Sequence, residues 1–161
     1  GHYDKSNGSE LARVRLGAHP TDIVWRNGGA PEPMEGVPPY TARLFVAAAN
    51  TNSVYVVAVN SAKDLSVMER INVAMTPRQP LGMTPSGLGL RPDGKRLFVA
   101  CSDGDVAAVL DVSGSFSKVS SFMPTGCSPT RVPVRPSGTY GVTKGKGMSV
   151  YCQQPCRSQT P

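Results

Sequence analysis

The sequence predicts an all-β chain, built as a partial β-propeller of about three four-stranded antiparallel blades. A Pro-rich sequence segment that begins at Thr84-Pro85 is repeated 44 positions later at Ser128-Pro129. A shorter copy of the segment begins at His19-Pro20. No stretch has the periodic spacing of apolar residues that is typical of a helix. Short runs of alternating apolar and polar residues occur instead, separated by Gly and Pro residues. Repeats of this length are typical of stacked supersecondary units that cover one another's apolar faces.

The unit near residues 85–123 contains the most complete copy of the repeat, and its sequence predicts four strands. Its predicted inner strand, Gly87–Arg91, runs into the tight turn Arg91-Pro92-Asp93-Gly94. Proline presets φ in such a turn, and glycine accepts the positive φ that other residues avoid. The remaining predicted strands of this unit are Arg96–Cys101, Val106–Val112 and Ser117–Phe122.

The unit near residues 20–73 has the same order, and Arg43–Ala47 repeats the letters of Arg96–Ala100. A Gly- and Pro-rich insertion, Asn27–Tyr40, separates its first two strands. A loop of that length is either functional or poorly ordered. The predicted strands of this unit are Asp22–Trp25, Arg43–Ala48, Ser53–Val59 and Val67–Val73.

The third unit, near residues 129–152, is incomplete. Its predicted strands are Arg131–Arg135, a second near Tyr140–Thr143 and a third at Ser149–Tyr151, which echoes Ser53–Tyr55. A fourth strand is missing. The third unit therefore lacks its outer strand.

One further strand is predicted before the first unit. Leu11–Leu16 alternates apolar and other residues and occupies the place of an outermost strand. We accordingly divide the chain into a tag remnant and lead-in at 1–10, a propeller segment at 11–152 and a C-terminal tail at 153–161.

Composition excludes several function classes. The chain has 161 residues, of which 39% are hydrophobic and 17% charged, as in globular proteins. Its net charge is +6, but the Lys and Arg residues are scattered and no aromatic platform accompanies them, so we expect no nucleic-acid partner. No apolar run approaches the ~20 residues of a membrane span.

The cysteines do not predict a metal centre. Cys101, Cys127, Cys152 and Cys156 form no C-x-x-C motif, and one credible histidine remains to complete a zinc site. We expect neither a metal nor a cofactor. Cys101 ends an apolar strand and is expected to be buried, whereas the other three could form a disulfide in an exported protein, with the pairing left open.

Two motifs resemble ligand loops and are better explained as turns. Gly89–Lys95 nearly spells a phosphate-binding loop, but Arg96 stands where Ser or Thr is needed and a strand follows instead of a helix. Asp103-Gly104-Asp105 offers two carboxylates without the further ligands of a calcium loop, which favours a hairpin turn.

The repeated segment resembles the YVTN-type repeat of bacterial β-propellers, which occurs in surface-layer proteins and lactonase-like propellers. The residues that carry this resemblance are Arg91–Ala100, Val106–Val112 and Phe122–Pro129. A narrower resemblance is to a subgroup whose propeller precedes a phosphoesterase domain of the alkaline-phosphatase superfamily. It lies in Ile71–Ala74, Thr84-Pro85, Pro124–Gly126, Pro129-Thr130 and Gly145–Gly147. The resemblance implies a fragment of a larger bacterial protein that is periplasmic or extracellular.

The leading functional prediction is a non-catalytic binding or scaffolding module, with its ligand surface formed by the Asn27–Tyr40 insertion and the loops leading into each blade. No residue is predicted to be catalytic, because no nucleophile with fixed geometry accompanies the one pairing that suggests a general base, His19 with Asp22. The candidate ligand-binding residues are His19, Asp22, Trp25, Arg78, Gln79, Cys127 and Arg131.

Two alternatives stay open. The chain could be the propeller portion of a lactonase-like or phosphoesterase-linked hydrolase, or a structural surface-layer repeat. In each case three blades cannot close a ring, because propellers have four to eight. We therefore expect a homo-oligomer, in which Leu11–Leu16 of one chain completes the third blade of its neighbour and two chains form a six-bladed ring.

Overall fold

A computed structural model describes residues 1–29, 35–76, 82–126, 128–132 and 151–152. Within these ranges the chain consists of antiparallel strands with two short 3-10 segments and no α-helix, which confirms the all-β prediction. None of the described residues belongs to a helix that is long and apolar enough to cross a membrane.

A small hairpin comes first. Strand β1 (His2–Tyr3) pairs with β2 (Glu10–Ala12), so regular structure begins within the residues predicted to be a lead-in. The strand predicted at Leu11–Leu16 thus ends at Ala12, and residues 13–17 form no strand. The division of the chain into 1–10, 11–152 and 153–161 stays a prediction.

The first unit folds into a four-stranded sheet, sheet 1, in the order β3-β4-β5-β6. All four predicted strands are present, and the structure extends the first of them to eight residues because Pro20 and Asn27 also pair with β4. The strands of sheet 1 are β3 (Pro20–Asn27), β4 (Ala42–Ala48), β5 (Ser53–Ser61) and β6 (Asp64–Asn72).

The second unit forms sheet 2 with the same sequential pairing of neighbouring strands. Its strands are β7 (Pro85–Leu90), β8 (Arg96–Cys101), β9 (Val106–Asp111) and β10 (Lys118–Pro124). The predicted turn between β7 and β8 is confirmed: Gly94 has φ +68° and its N–H donates to the carbonyl of Arg91 over 2.8 Å.

The two sheets also share the same backbone conformation at the β4–β5 and β8–β9 connections. Each connection is a single 3-10 turn, Ala49–Thr51 or Ser102–Gly104, followed by a residue in the left-handed region. Those residues are Asn52 (φ +47°) and Asp105 (φ +49°), side chains that tolerate this conformation better than most. The repeat in sequence is therefore a repeat in backbone conformation.

The third unit is described only in part. Strand β11 (Pro129–Arg131) pairs with β12 (Tyr151–Cys152). Most of the predicted strand Arg131–Arg135 and all of the one near Tyr140–Thr143 lie outside the described residues.

The main core lies between sheets 1 and 2. Alternate residues of sheet 1, among them Phe45 and Val56, pack against Leu97 and Leu110 of sheet 2, and all four side chains are fully buried. A smaller cluster on the other face of sheet 2 includes Val132, which follows β11 and is 2% exposed. Sheet 2 is thus covered on one face by sheet 1 and on the other by the third unit, as in the blades of a propeller.

The inner strands of successive units also bond to one another at matching positions. The hydroxyl of Thr21 on β3 donates to the carbonyl of Pro85 on β7 over 2.8 Å. One unit later, the hydroxyl of Ser86 on β7 donates to the carbonyl of Pro129 on β11 over 2.9 Å. Because each inner strand contacts the next through the same atoms, β3, β7 and β11 succeed one another around one side of a common axis.

Candidate functional site

The inner strands border an open groove of about 710 Å³. Its walls are the second half of β3, β7 and the turn at residues 91–94, and Val132 contributes from the third unit. In a propeller the innermost strands surround the central channel, where ligands of such proteins can enter. The groove is therefore a candidate ligand site among the described residues.

Two arginines lie in the groove wall at the same repeat position, six residues after Pro20 and six after Pro85. Arg26 donates through Nε to the carbonyl of Gly94 over 2.7 Å, which links β3 to the β7–β8 turn. Arg91 forms an ion pair with Asp93, with 3.2 Å between Nε and Oδ2. This end of the groove therefore carries two guanidinium groups and one carboxylate.

The second guanidinium nitrogen of Arg26 has unused bonding capacity. Its Nη1 is buried and has no hydrogen-bond partner within the part of the chain that the structure describes. Guanidinium groups have five N–H donors arranged in a plane that suits carboxylate and phosphate oxygens. Because the Nη1 of Arg26 is shielded from solvent, an anionic group in the groove would meet the guanidinium of Arg91, whose side chain is 42% exposed.

Asp22, a predicted ligand residue, instead joins the two sheets. Its Oδ2 accepts the N–H of Leu88 on β7 over 2.8 Å, and its Oδ1 accepts the N–H of Ile23 over 2.8 Å. Strand β7 is the inner edge of sheet 2, so Leu88 uses a carboxylate where a further strand would otherwise supply a carbonyl. Asp22 therefore holds the inner strands together.

His19 acts in the structure through its backbone. It has φ +55°, and its carbonyl accepts the N–H of Ala49 over 2.9 Å. Thr84, at the matching position of sheet 2, has φ +46°, and its carbonyl accepts the N–H of Ser102 over 3.1 Å. The shared geometry indicates that this position guides the chain into the inner strand.

Of the other predicted ligand residues, Trp25 lies in the groove lining next to Arg26. The Trp25 side chain is 48% exposed and its Nε1 donates to Asn27 Oδ1 over 2.6 Å, on the face of sheet 1 opposite to Asp22. Arg131 is exposed at the end of β11. Arg78, Gln79 and Cys127 lie outside the described residues.

Sequence reasoning missed two charged residues that join the sheets. Arg43 is fully buried and donates to carbonyl oxygens of the β9–β10 loop, over 3.0 Å to Gly114 and 2.5 Å to Val112. Glu69 accepts the N–H and hydroxyl of Ser117, in the same loop, over 2.6 and 2.8 Å. Burial is the main cause that lowers the pKa of Arg43. The local sequence does not distinguish Arg43 from Arg96, which stands in the same letters and is exposed.

A buried amide secures the connection between the sheets. Asn52 is 3% exposed, and its side-chain oxygen accepts the N–H groups of Gly82 and Met83 over 3.1 and 2.9 Å. The residues just before β7 are thereby tied to the β4–β5 turn. This contact fixes where the inner strand of sheet 2 begins.

The chemistry of the described groove is that of polar binding. No group of three or more His, Cys, Asp or Glu side chains within the described ranges could hold a metal ion. Cys101 is buried in the core, as predicted, and burial raises the pKa of its thiol to about 12, so it is protonated at neutral pH. Guanidinium, amide and backbone groups line the groove instead.

Comparison with known proteins shows the fold. No protein-family model matches the chain, and no curated protein matches it. A protein of Bacteroides fragilis whose suggested activity is that of a 6-phosphogluconolactonase superposes with a TM-score of 0.62 over 88% of this chain, at 17% identity. One of Bacteroides uniformis with the same suggested activity gives 0.58 over 92%, at 13% identity. Hydrazine synthase of Kuenenia stuttgartiensis gives 0.53 over 87%, at 18% identity.

These neighbours define a class and not an activity. The chain has the fold of a partial β-propeller, and it spans 34%, 47% and 32% of the lengths of the three neighbours. At such identities the likeness extends to the fold alone.

Proposed function

We propose that this chain is a binding module of a larger propeller protein and that its ligand is a small anion held in the inner-strand groove. The observation that carries the proposal is the recurrence of arginine at one groove end, Arg26 on β3 and Arg91 at the end of β7. The groove volume of about 710 Å³ suits a small molecule.

Electrostatics favours an anionic group. The chain carries a net charge of +6, which attracts anions at long range, and the guanidinium group of Arg91 supplies directed donors at short range. Asp93 pairs with Arg91 in the absence of ligand and would have to yield part of that contact. We expect the carboxylate of Asp93 to weaken the binding of simple anions by repulsion. It should favour the binding of ligands that also offer a hydroxyl group to Asp93.

A substitution of Arg91 tests the proposal. We expect 6-phosphogluconate, a probe with both a phosphate and hydroxyl groups, to bind in calorimetric titration and to lose about tenfold in affinity in Arg91→Ala, because a charge-assisted hydrogen bond is removed. The matched control is Arg96→Ala, which removes an exposed arginine five residues away. Equal affinity in all three proteins would contradict the proposal.

A second candidate function is the hydrolysis of a phosphorylated lactone. The two Bacteroides neighbours favour it, since the suggested activity of both is that of a 6-phosphogluconolactonase. Under this alternative the chain contributes the phosphate-binding arginines of a lactonase-like propeller. Release of acid from 6-phosphogluconolactone, faster with the protein than with Arg91→Ala, would favour turnover over binding alone.

We further propose that the parent protein is of the YVTN type and acts outside the cytoplasm. The repeated letters at Arg43–Ala47 and Arg96–Ala100, which fold into matching strands, support the repeat type. Fractionation of cells that express the full parent gene, followed by detection of this segment, tests the compartment.

A further inference from the structure

Hydrogen bonds join β3 to sheet 2 near both ends of the inner-strand groove. At one end the carboxylate of Asp22 accepts the N–H of Leu88 over 2.8 Å. At the other end the Nε of Arg26 donates to the carbonyl of Gly94 over 2.7 Å. The groove lies along the residues between these two contacts. Its width at the end near Arg91 therefore depends on the bond that Arg26 makes.

The side chain of Arg26 also packs directly against the turn. Gly94 has φ +68°, and a Cβ added to it would lie 3.1 Å from the Nε of Arg26 and 3.7 Å from its Cδ and Cγ. Glycine is suited to this position both by its positive φ and by the space that the arginine stem occupies. The contact therefore combines a hydrogen bond with close packing.

The turn that Arg26 contacts carries the groups proposed to meet the ligand. The N–H of Gly94 donates to the carbonyl of Arg91 over 2.8 Å, so both residues belong to one hydrogen-bonded turn. Asp93 accepts the N–H of Lys95 through one carboxylate oxygen over 3.0 Å, and its other oxygen lies 3.2 Å from the Nε of Arg91. A displacement of Gly94 would therefore move both charged side chains of the site.

The contact does not depend on an ion pair. Gly94 offers a neutral carbonyl, and Arg26 stands directly opposite Arg43 in the pairing of β3 with β4, where like charges repel. Among the residues that the structure describes, neither guanidinium has a carboxylate within salt-bridge distance. The bond to Gly94 is therefore the directed interaction that Arg26 makes with sheet 2.

We propose that Arg26 is a positioning residue of the anion site: it holds the turn at residues 91–94 against β3 and so fixes the place of the Arg91 guanidinium. The inference rests on the proposed function, because it takes Arg91 as the group that meets the ligand. Arg26 acts through the turn, since its Nε is bonded to Gly94 and its Nη1 is buried, whereas the side chain of Arg91 is 42% exposed.

Two neutral variants separate the bond from the charge. Glutamine carries an amide nitrogen at the place along the side chain where arginine has Nε, so Arg26→Gln keeps a donor for Gly94 and removes the charge. Methionine has the same length without a donor. We expect Arg26→Met to weaken the binding of 6-phosphogluconate about tenfold in calorimetric titration, and Arg26→Gln to recover most of that loss.

A double variant shows whether Arg26 acts through Arg91. In an Arg91→Ala background, the further substitution Arg26→Met should cause little additional loss of affinity, because the group that it positions is already absent. Full additivity of the two losses would mean that Arg26 contributes to binding independently of Arg91, which would contradict the inference.

The carbonyl carbon of Gly94 reports the bond in the ligand-free protein. We expect its NMR resonance to move upfield in Arg26→Met and to stay near the wild-type position in Arg26→Gln. The carbonyl of Gly114, which accepts from Arg43 over 3.0 Å, is the matched control and should not move.

The outcomes distinguish this inference from the proposed function. A wild-type protein that does not bind 6-phosphogluconate would contradict the proposed function, while the Gly94 resonance would still decide whether Arg26 holds the turn. Equal losses of affinity in Arg26→Gln and Arg26→Met would mean that the ligand meets the charge of Arg26 directly. That result, full affinity in Arg26→Met, or an unchanged Gly94 resonance in Arg26→Met would overturn the inference.

Discussion

Replacing Arg43 with Met is expected to lower the free energy of unfolding by about 3 kcal/mol, because buried carbonyl oxygens lose their donors. Methionine keeps the length and the apolar stem of the side chain, so packing is largely preserved. The carbonyls of Val112 and Gly114 would remain buried without the guanidinium. Chemical denaturation monitored by circular dichroism measures the change.

The repeat supplies the control for this prediction. Arg96 stands at the same position of sheet 2 and is exposed, so Arg96→Met should change stability by less than about 0.5 kcal/mol. Similar losses in both variants would mean that Arg43 does not hold the β9–β10 loop.

Substitution of Gly87 by Ala is expected to separate the third unit from sheet 2. A Cβ at Gly87 would lie 2.6 Å from the carbonyl oxygen of Thr130 and 3.0 Å from the Cα of Arg131. Both are backbone atoms, so β11 must move, and overpacking of this kind costs about 1–3 kcal/mol. The contact between Ser86 and Pro129 would be lost with it.

Hydrogen exchange by mass spectrometry gives the regional readout. We expect faster exchange in Gly87→Ala for peptides that cover β11, with little change in sheet 1. Gly114→Ala is the control, because the nearest atom to its added Cβ is 3.4 Å away. If β11 exchanged equally fast in the wild type and in Gly87→Ala, the close approach of β7 and β11 would be wrong.

The strands were predictable because each depends on local signals. The turn at Arg91–Gly94 and the alternation of apolar residues predict a strand on each side of the turn. The predicted bounds of both strands lie within a few residues of the observed ones. Because Arg43–Ala47 has the same sequence as Arg96–Ala100, the same strand could be predicted for sheet 1. Such signals act over a few residues and appear directly in the sequence.

The burial of individual side chains was not predictable, because it depends on the neighbouring unit. Arg43 and Arg96 stand in identical letters, yet Arg43 is fully buried against the β9–β10 loop of sheet 2 and Arg96 is exposed. Ile23 and Leu88 match in position, yet Leu88 is 5% exposed in the core with sheet 1 and Ile23 is 57% exposed. Which equivalent residue is covered is decided by long-range packing.

The candidate site was predictable only in outline for the same reason. The loops leading into the blades were chosen for their polar residues, but Asp22 uses its carboxylate to join the inner strands and His19 contributes only its backbone carbonyl, to Ala49 of the same sheet. The arginines of the groove, Arg26 and Arg91, became candidates only when the structure placed β3 beside β7.

The central claim is that β3 and β7 are adjacent inner strands of two separate sheets, and the amide of Leu88 tests it most directly. Its N–H bonds to Asp22 across the sheets, whereas the neighbouring strand β8 bonds from the other side. We predict a slowly exchanging Leu88 amide by NMR that exchanges about tenfold faster in Asp22→Ala, while the amide of Val99 on β8 is unchanged. A Leu88 amide that exchanges rapidly in the wild type, or at the same rate in both proteins, would contradict the account.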